Sequence, residues 1–143
     1  MAQASHRMTV AASPERFMRV LVDFAAYPSF LPWVQAVEVL RHEQGPGAEA
    51  WEVRFEVLLV RPLRYTLRLE RSGTRLQWSL VEGMLHAIEG AWELSEVDGG
   101  TQAEYRLELQ VGSYVPASIL DSLRQRDLPQ LMERFQRRAA ELA

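Results

Sequence analysis

The chain has 143 residues, no cysteine, and a formal net charge of −3 from 16 basic and 19 acidic side chains. Without cysteine there are no disulfides, thiolate metal sites or cysteine nucleophiles, and without a block of like charge nucleic acid is not an expected partner. Hydrophobic residues at 48% and charged residues at 24% fit one globular domain over 1–143, large enough to bury a core without staples.

No stretch of about 18 apolar residues predicts a membrane span. Residues Met1 to Arg7 lack the apolar core of a signal peptide, so a cytoplasmic protein is expected.

The first element, His6 to Val10, reads as a strand of about six residues. Ser13-Pro14-Glu15 then starts a helix: Ser13 can cap free N–H groups, and Pro14 stands where its missing N–H costs nothing. Phe17, Val20, Leu21 and Phe24 follow on one helical face. Tyr27-Pro28 and Leu31-Pro32 interrupt, which predicts a short second helix between kinks over Ala25 to Trp33.

From Val34 the apolar period changes from helical to two. Gln35, Val37 and Val39 predict one side of a strand that ends at Gly45-Pro46-Gly47. Trp51, Val53, Phe55, Val57 and Leu59 alternate with charged residues. Leu63, Tyr65, Leu67 and Leu69 alternate with charged residues and Thr66, and Leu76, Trp78 and Leu80 with the polar Gln77 and Ser79. Ile88, Gly90, Trp92 and Leu94 follow, then Tyr105, Leu107, Leu109 and Val111. Short turns separate these segments, which predicts an antiparallel meander with one buried and one wet face. Arg54, Arg64 and Arg68 fall on the wet side.

Helical spacing returns with Ile119, Leu120, Leu123, Leu131, Phe135, Ala139 and Leu142. Pro129 interrupts that stripe, but Asp127 and Gln130 have capping-box spacing, so a kink or restart is expected at Asp127. The predicted fold is α+β: a seven-stranded curved antiparallel sheet around a long C-terminal helix, with two short helices between strands 1 and 2. Such a sheet is wider than the helix that must cover it. The excess volume is either filled by large side chains or left as a pocket.

Three stretches resemble the START-like (Bet v 1-like) proteins of the polyketide cyclase/dehydrase and coenzyme Q-binding group. They are Ser13-Pro14-Glu15-Arg16-Phe17 through Val22-Asp23-Phe24 to Tyr27-Pro28-Ser29-Phe30-Leu31-Pro32-Trp33; Gly83 to Trp92 with its Glu89-Gly90; and Phe135-Gln136-Arg137-Arg138-Ala139. The resemblance implies a helix-grip fold with a hydrophobic cavity. It leaves three roles open: carriage of a lipid, quinone or polyketide, a polyketide aromatase/cyclase or dehydratase, and a ribosome-associated interaction module. One departure is the apolar Leu58-Leu59-Val60-Arg61-Pro62-Leu63 hairpin, where relatives often carry basic residues. It reads as a lip touching a membrane or ligand, or as a surface packed against the first helices or a second copy in a homodimer.

Candidate ligand-binding residues on the inward side are Trp33, Trp51, Phe55, Tyr65, Leu67, Trp78, Ile88, Trp92, Tyr105, Leu107, Leu123 and Phe135. Each serves equally as core packing or as a wall for a flat ring. No cofactor is expected. The three histidines, His6, His42 and His86, lack metal-ligand spacing, so no metal site is expected. No nucleophilic serine motif is present. Catalysis, if any, would fall to His86, Tyr65 or Tyr105, the ionisable groups with inward parity. The leading expectation is a non-enzymatic carrier of an apolar molecule.

Overall fold

The computed structural model describes residues 2–58, 62–83, 87–110 and 127–141. Strand β1 (Ala2–Val10) leads into helix α1 (Pro14–Val22), a 3-10 turn (Phe24–Ala26) and a one-turn helix α2 (Tyr27–Phe30). Six strands follow: β2 (Val34–Gly45), β3 (Ala48–Leu58), β4 (Pro62–Ser72), β5 (Arg75–Gly83), β6 (Ala87–Val97) and β7 (Gly100–Gln110). Helix α3 (Leu128–Glu141) comes last. The strands form one curved, unclosed antiparallel sheet in the order β1-β7-β6-β5-β4-β3-β2. This is the helix-grip arrangement, with β1 and β2 as its free edges.

Helix α1 begins as its residues dictate. The Ser13 hydroxyl accepts a hydrogen bond from the Arg16 N–H at 3.2 Å, and Pro14 occupies the first turn. Phe17, Met18, Val20 and Leu21 form its buried face. The region beyond differs from the single helix expected over Ala25 to Trp33. The chain forms the 3-10 turn and then only one α-turn, with Pro28 inside that turn. Leu31 is extended (φ −116°, ψ 97°), because a residue before proline is driven out of the helical region.

Strand β1 is nine residues long, not about six. Its small and polar side chains carry little strand signal, and the ladder to β7 supplies it, pairing Ala2 with Leu109 through to Val10 with Thr101. Strand β2 departs from its expected apolar side. Val37 is half-buried, but Gln35 and Val39 are exposed. The pairing of β2 to β3 breaks register between Val34 and Ala36 and between Val39 and Arg41. As an edge strand it has only one neighbour to pack on.

In the centre of the sheet the two-residue rhythm holds. Trp51, Val53, Phe55, Val57, Leu63, Leu67, Leu69, Leu76, Trp78, Ile88, Trp92, Leu94, Tyr105 and Leu107 are all buried. On the convex face Arg54 pairs with Glu38, Arg64 with Glu56 (2.9 Å) and Arg68 with Glu70 (3.1 Å). These exposed pairs are worth little individually, but they leave the face solvated and the other face for the core.

Helix α3 lays Leu128, Met132, Phe135 and Ala139 into that core. Pro129 sits in its first turn, where the missing N–H is tolerated. The Gln136 amide donates to the Thr9 carbonyl at 2.7 Å, tying the helix to β1. Ile119, Leu120, Leu123 and Leu142 of the expected stripe lie outside the described residues, as does any kink ahead of Asp127. Leu59 and Val111 lie outside them too.

Candidate functional site: the open end of the concave face

The sheet has two dissimilar ends. At one end lie the β2–β3, β4–β5 and β6–β7 turns and the passage from β1 to α1. At the other lie the β3–β4 and β5–β6 connections, the start of β1 and the end of β7. The first end and the centre are solidly filled. Ala103 is 0% exposed, Leu76 1%, and Trp92 and Phe135 2%. Phe135 is edge-packed against Tyr27 (5.3 Å), Phe30 (5.2 Å) and Trp92 (5.5 Å), and Trp92 in turn against Phe17 (5.5 Å).

Toward the second end the inward side chains keep some accessible surface. Leu63 is 7% exposed, Trp78 and Ile88 8%, and Tyr105 and Leu107 9%, while Tyr65 and Leu80 are only partly buried. An open groove of about 690 Å³ lies at that same end over the edge of β3 and β4, lined mainly by polar and convex-face side chains (Gln35, Arg54, Glu56, Arg64 and Glu82) with Val57, Leu63 and Tyr65 beside them.

Two glycines shape this wall. A Cβ on Gly90 would stand 2.5 Å from the Trp78 ring and from the Arg106 carbonyl oxygen. The bare backbone of β6 therefore lets the indole lie flat across it. Gly83 has φ +139°, and a Cβ there would meet the Tyr65 backbone at 2.5 Å. Its absence brings the end of β5 close to β4.

Three tyrosines bring polarity into this apolar interior. Tyr27, from α2, donates its hydroxyl to the Leu21 carbonyl at 2.5 Å. Tyr65 stacks on Phe55 (5.7 Å), and Tyr105 leans on Trp78 (5.4 Å) and Trp92 (4.9 Å). Among the described residues no protein group hydrogen-bonds to the Tyr65 or Tyr105 hydroxyl, yet no side-chain oxygen is both sealed from solvent and unpartnered. Both hydroxyls therefore keep some contact with solvent.

Burial pushes the Tyr65 phenol up to about 12. Burial, and then the charge of Tyr65, raises Tyr105 further. Burial raises Tyr27 most, with added contributions from Tyr105 and Asp23. All three are neutral hydrogen-bond donors at physiological pH.

Of the residues singled out from sequence, Tyr65, Leu67, Trp78, Ile88, Tyr105 and Leu107 face inward on β4 to β7, buried except for the half-buried Tyr65, with Phe55 stacked on Tyr65. Trp92 and Phe135 belong to the packed centre. Trp51 is sandwiched between Phe24 (5.4 Å) and the stacked ring of His42 (5.1 Å). Trp33 packs half-buried against the core, with the Arg134 guanidinium 5.8 Å over its ring. His86 and Leu123 lie outside the described residues. Sequence reasoning missed Tyr27 and Phe30, which hold α2 onto Phe135. Their signal was available, since Phe24, Tyr27, Phe30 and Trp33 recur every third residue. Among the described residues no three His, Asp or Glu side chains gather as metal ligands.

A sequence model of the polyketide cyclase / dehydrase and lipid transport family matches residues 10–136. The chain therefore belongs to that family. It is similar in fold to a START superfamily protein from Mycobacterium smegmatis (TM-score 0.86, 19% identity, all of both chains covered). It is similar also to the Zhui aromatase/cyclase from Streptomyces sp. R1128 (TM-score 0.78, 19% identity, 96% of this chain and 93% of that one). A third likeness is to a STAR-related lipid transfer protein from Xanthomonas axonopodis (TM-score 0.68, 13% identity, 95% and 84% covered). At these identities the likeness shows the fold alone. No curated protein matches the chain. Among the described residues no helix is long and apolar enough to cross a membrane.

Proposed function

We propose that this protein binds and carries an apolar small molecule of the lipid, quinone or polyketide type, held between the open end of the sheet and α3. The observation that supports this reading is the apolar inward face of β4 to β7, where Tyr65 and Leu80 are only half-buried beside Trp78, Ile88 and Leu107. Burying a ligand's apolar surface there is worth roughly 25 cal/mol per Å², and few polar groups are needed to orient it. The family's printed description, which includes lipid transport, supports the same reading.

An aromatase/cyclase or dehydratase is the second reading, favoured by the polar pair Tyr65 and Tyr105. Phenols held this far above neutrality donate protons or hydrogen bonds but do not act as bases. The buried polar side chains among the described residues are Thr66 and Thr101 alone, so no carboxylate or imidazole of that set stands ready as the base. That favours a carrier. The third reading, an interaction module, would need a basic face, and on the convex side Arg54, Arg64 and Arg68 are each matched by a glutamate.

A cytoplasmic carrier would meet membranes through Leu58, which is exposed beside the groove, and would form any homodimer at Val39 and Leu40 on edge strand β2. Native mass spectrometry of freshly purified protein, followed by solvent extraction, tests the main reading. A co-purified lipid or quinone is expected. A bare polypeptide mass, together with failure to take up any of a panel of fatty acids, quinones and polyketide-like ketones, would overturn it.

A further inference from the structure

We infer that the chain from Ala25 to Phe30 is a strap over the apolar interior and that the ligand passes through the seam between this strap and α3; this rests on the carrier reading above. Both ends of the strap are anchored. Phe24 and Leu31 are each 2% exposed, and Phe24 packs edge-on to Trp51 at 5.4 Å. Beyond Leu31 the Trp33 carbonyl accepts the Leu58 N–H at 2.7 Å, which fixes the chain to β3. Between the anchors no residue is fully buried: Ala25, Pro28 and Ser29 are exposed, and Ala26, Tyr27 and Phe30 are half-buried. A segment with so little buried surface belongs to the low-stability parts of a fold.

What the strap covers is aromatic and apolar. The Tyr27 ring lies 6.2 Å from Phe55, which stacks on the half-buried Tyr65. At the seam Tyr27 and Phe30 meet Phe135 of α3 edge-on, at 5.3 and 5.2 Å. Three polar contacts latch the strap in place. The Tyr27 hydroxyl donates to the Leu21 carbonyl, the Arg134 guanidinium donates to the Phe30 carbonyl at 3.4 Å, and the Arg138 guanidinium sits 5.6 Å over the Phe30 ring. The two arginines are committed to this task. Arg137 on the same helix pairs with Glu133 at 2.9 Å, whereas among the described residues Arg134 has no carboxylate partner and Arg138 reaches only Glu141, at 3.9 Å. Each latch is individually weak, so the strap can bow outward while Phe24 and Leu31 stay seated.

A strap that gates passage sets rates and leaves affinity alone, because opening speeds entry and exit alike. Stopped-flow fluorescence of the full chain with N-phenyl-1-naphthylamine, an uncharged apolar dye, measures both. Tyr27→Phe keeps the ring and removes one latch; Arg138→Gln removes another. Each variant should take up and release the dye about two- to tenfold faster than the native protein, with Kd unchanged. Hydrogen exchange should quicken over residues 24–31 and stay as it was in β5 to β7. Ser13→Ala, which weakens the start of α1 without touching the seam, should leave the dye rates as they are.

Native rates in both latch variants would overturn the strap as the way in and leave the carrier reading standing. So would a gain in release alone with weaker Kd, since Tyr27 and Arg138 would then hold the ligand and not its path. An equal gain in Ser13→Ala, or exchange that quickens throughout the sheet, would show general loosening and overturn the strap as well. A native protein that does not bind the dye would overturn the carrier reading and this inference together.

Discussion

Trp78 lies where a side chain on the neighbouring strand would otherwise be, and Gly90 makes room for it. A methyl at Gly90 would press on the indole and on the Arg106 carbonyl oxygen, which belongs to backbone and cannot step aside. Gly90→Ala should cost about 1–3 kcal/mol through overpacking. A urea titration followed by tryptophan fluorescence would measure it, and an unchanged midpoint would mean the indole moves freely.

The tyrosines give a second expectation at this scale. Each is harder to ionise folded than unfolded, so as pH rises above about 10 the unfolded chain loses phenolic protons first. Their contribution is therefore intact below pH 10 and lost as pH climbs toward the folded values, at up to about 1.4 kcal/mol per pH unit for each phenol. Urea midpoints between pH 9 and pH 12 should fall steeply in the native protein. They should fall less in the Tyr65→Phe/Tyr105→Phe variant, and equal slopes would show that the phenols are solvated.

The helices hold together through a few specific contacts. The Ser13 hydroxyl satisfies one of the free N–H groups at the start of α1, and Ser13→Ala should cost about 1 kcal/mol by chemical denaturation. Helix α2 has a single turn and no fully buried residue, so its position depends on its neighbours. Tyr27 and Phe30 lie edge-on to Phe135, and the Arg138 guanidinium sits 5.6 Å over the Phe30 ring. Phe135→Ala removes the ring on which both rest and should cost about 3–5 kcal/mol. Limited proteolysis of that variant should cut faster in the segment from Phe24 to Trp33. Unchanged cleavage there would show that α2 is held by something other than α3.

For the whole molecule, the carrier reading places an apolar occupant between the sheet and its helices. An occupant that binds only the folded chain stabilises it by mass action, about 2.7 kcal/mol at a hundredfold excess over Kd. Protein stripped by solvent extraction should therefore melt several degrees lower than protein as purified, and regain the difference on reloading. Identical melting curves before and after stripping would show that nothing of consequence had been bound.

The sequence alone determined the order of elements, the α1 cap and the inward residues of β3 to β7. These follow from local rules, namely a two-residue or helical apolar period and the turn chemistry of glycine and proline. It could not sort the inward residues into wall and core. Trp92 and Trp78 carry the same parity, yet Phe17, Tyr105 and Phe135 close around Trp92, while Trp78 packs on Tyr105 over the bare backbone of Gly90. The difference lies in which helix side chains reach each ring, a contact between segments remote in sequence. The same holds for Val39, whose inward parity counts for nothing on an edge strand.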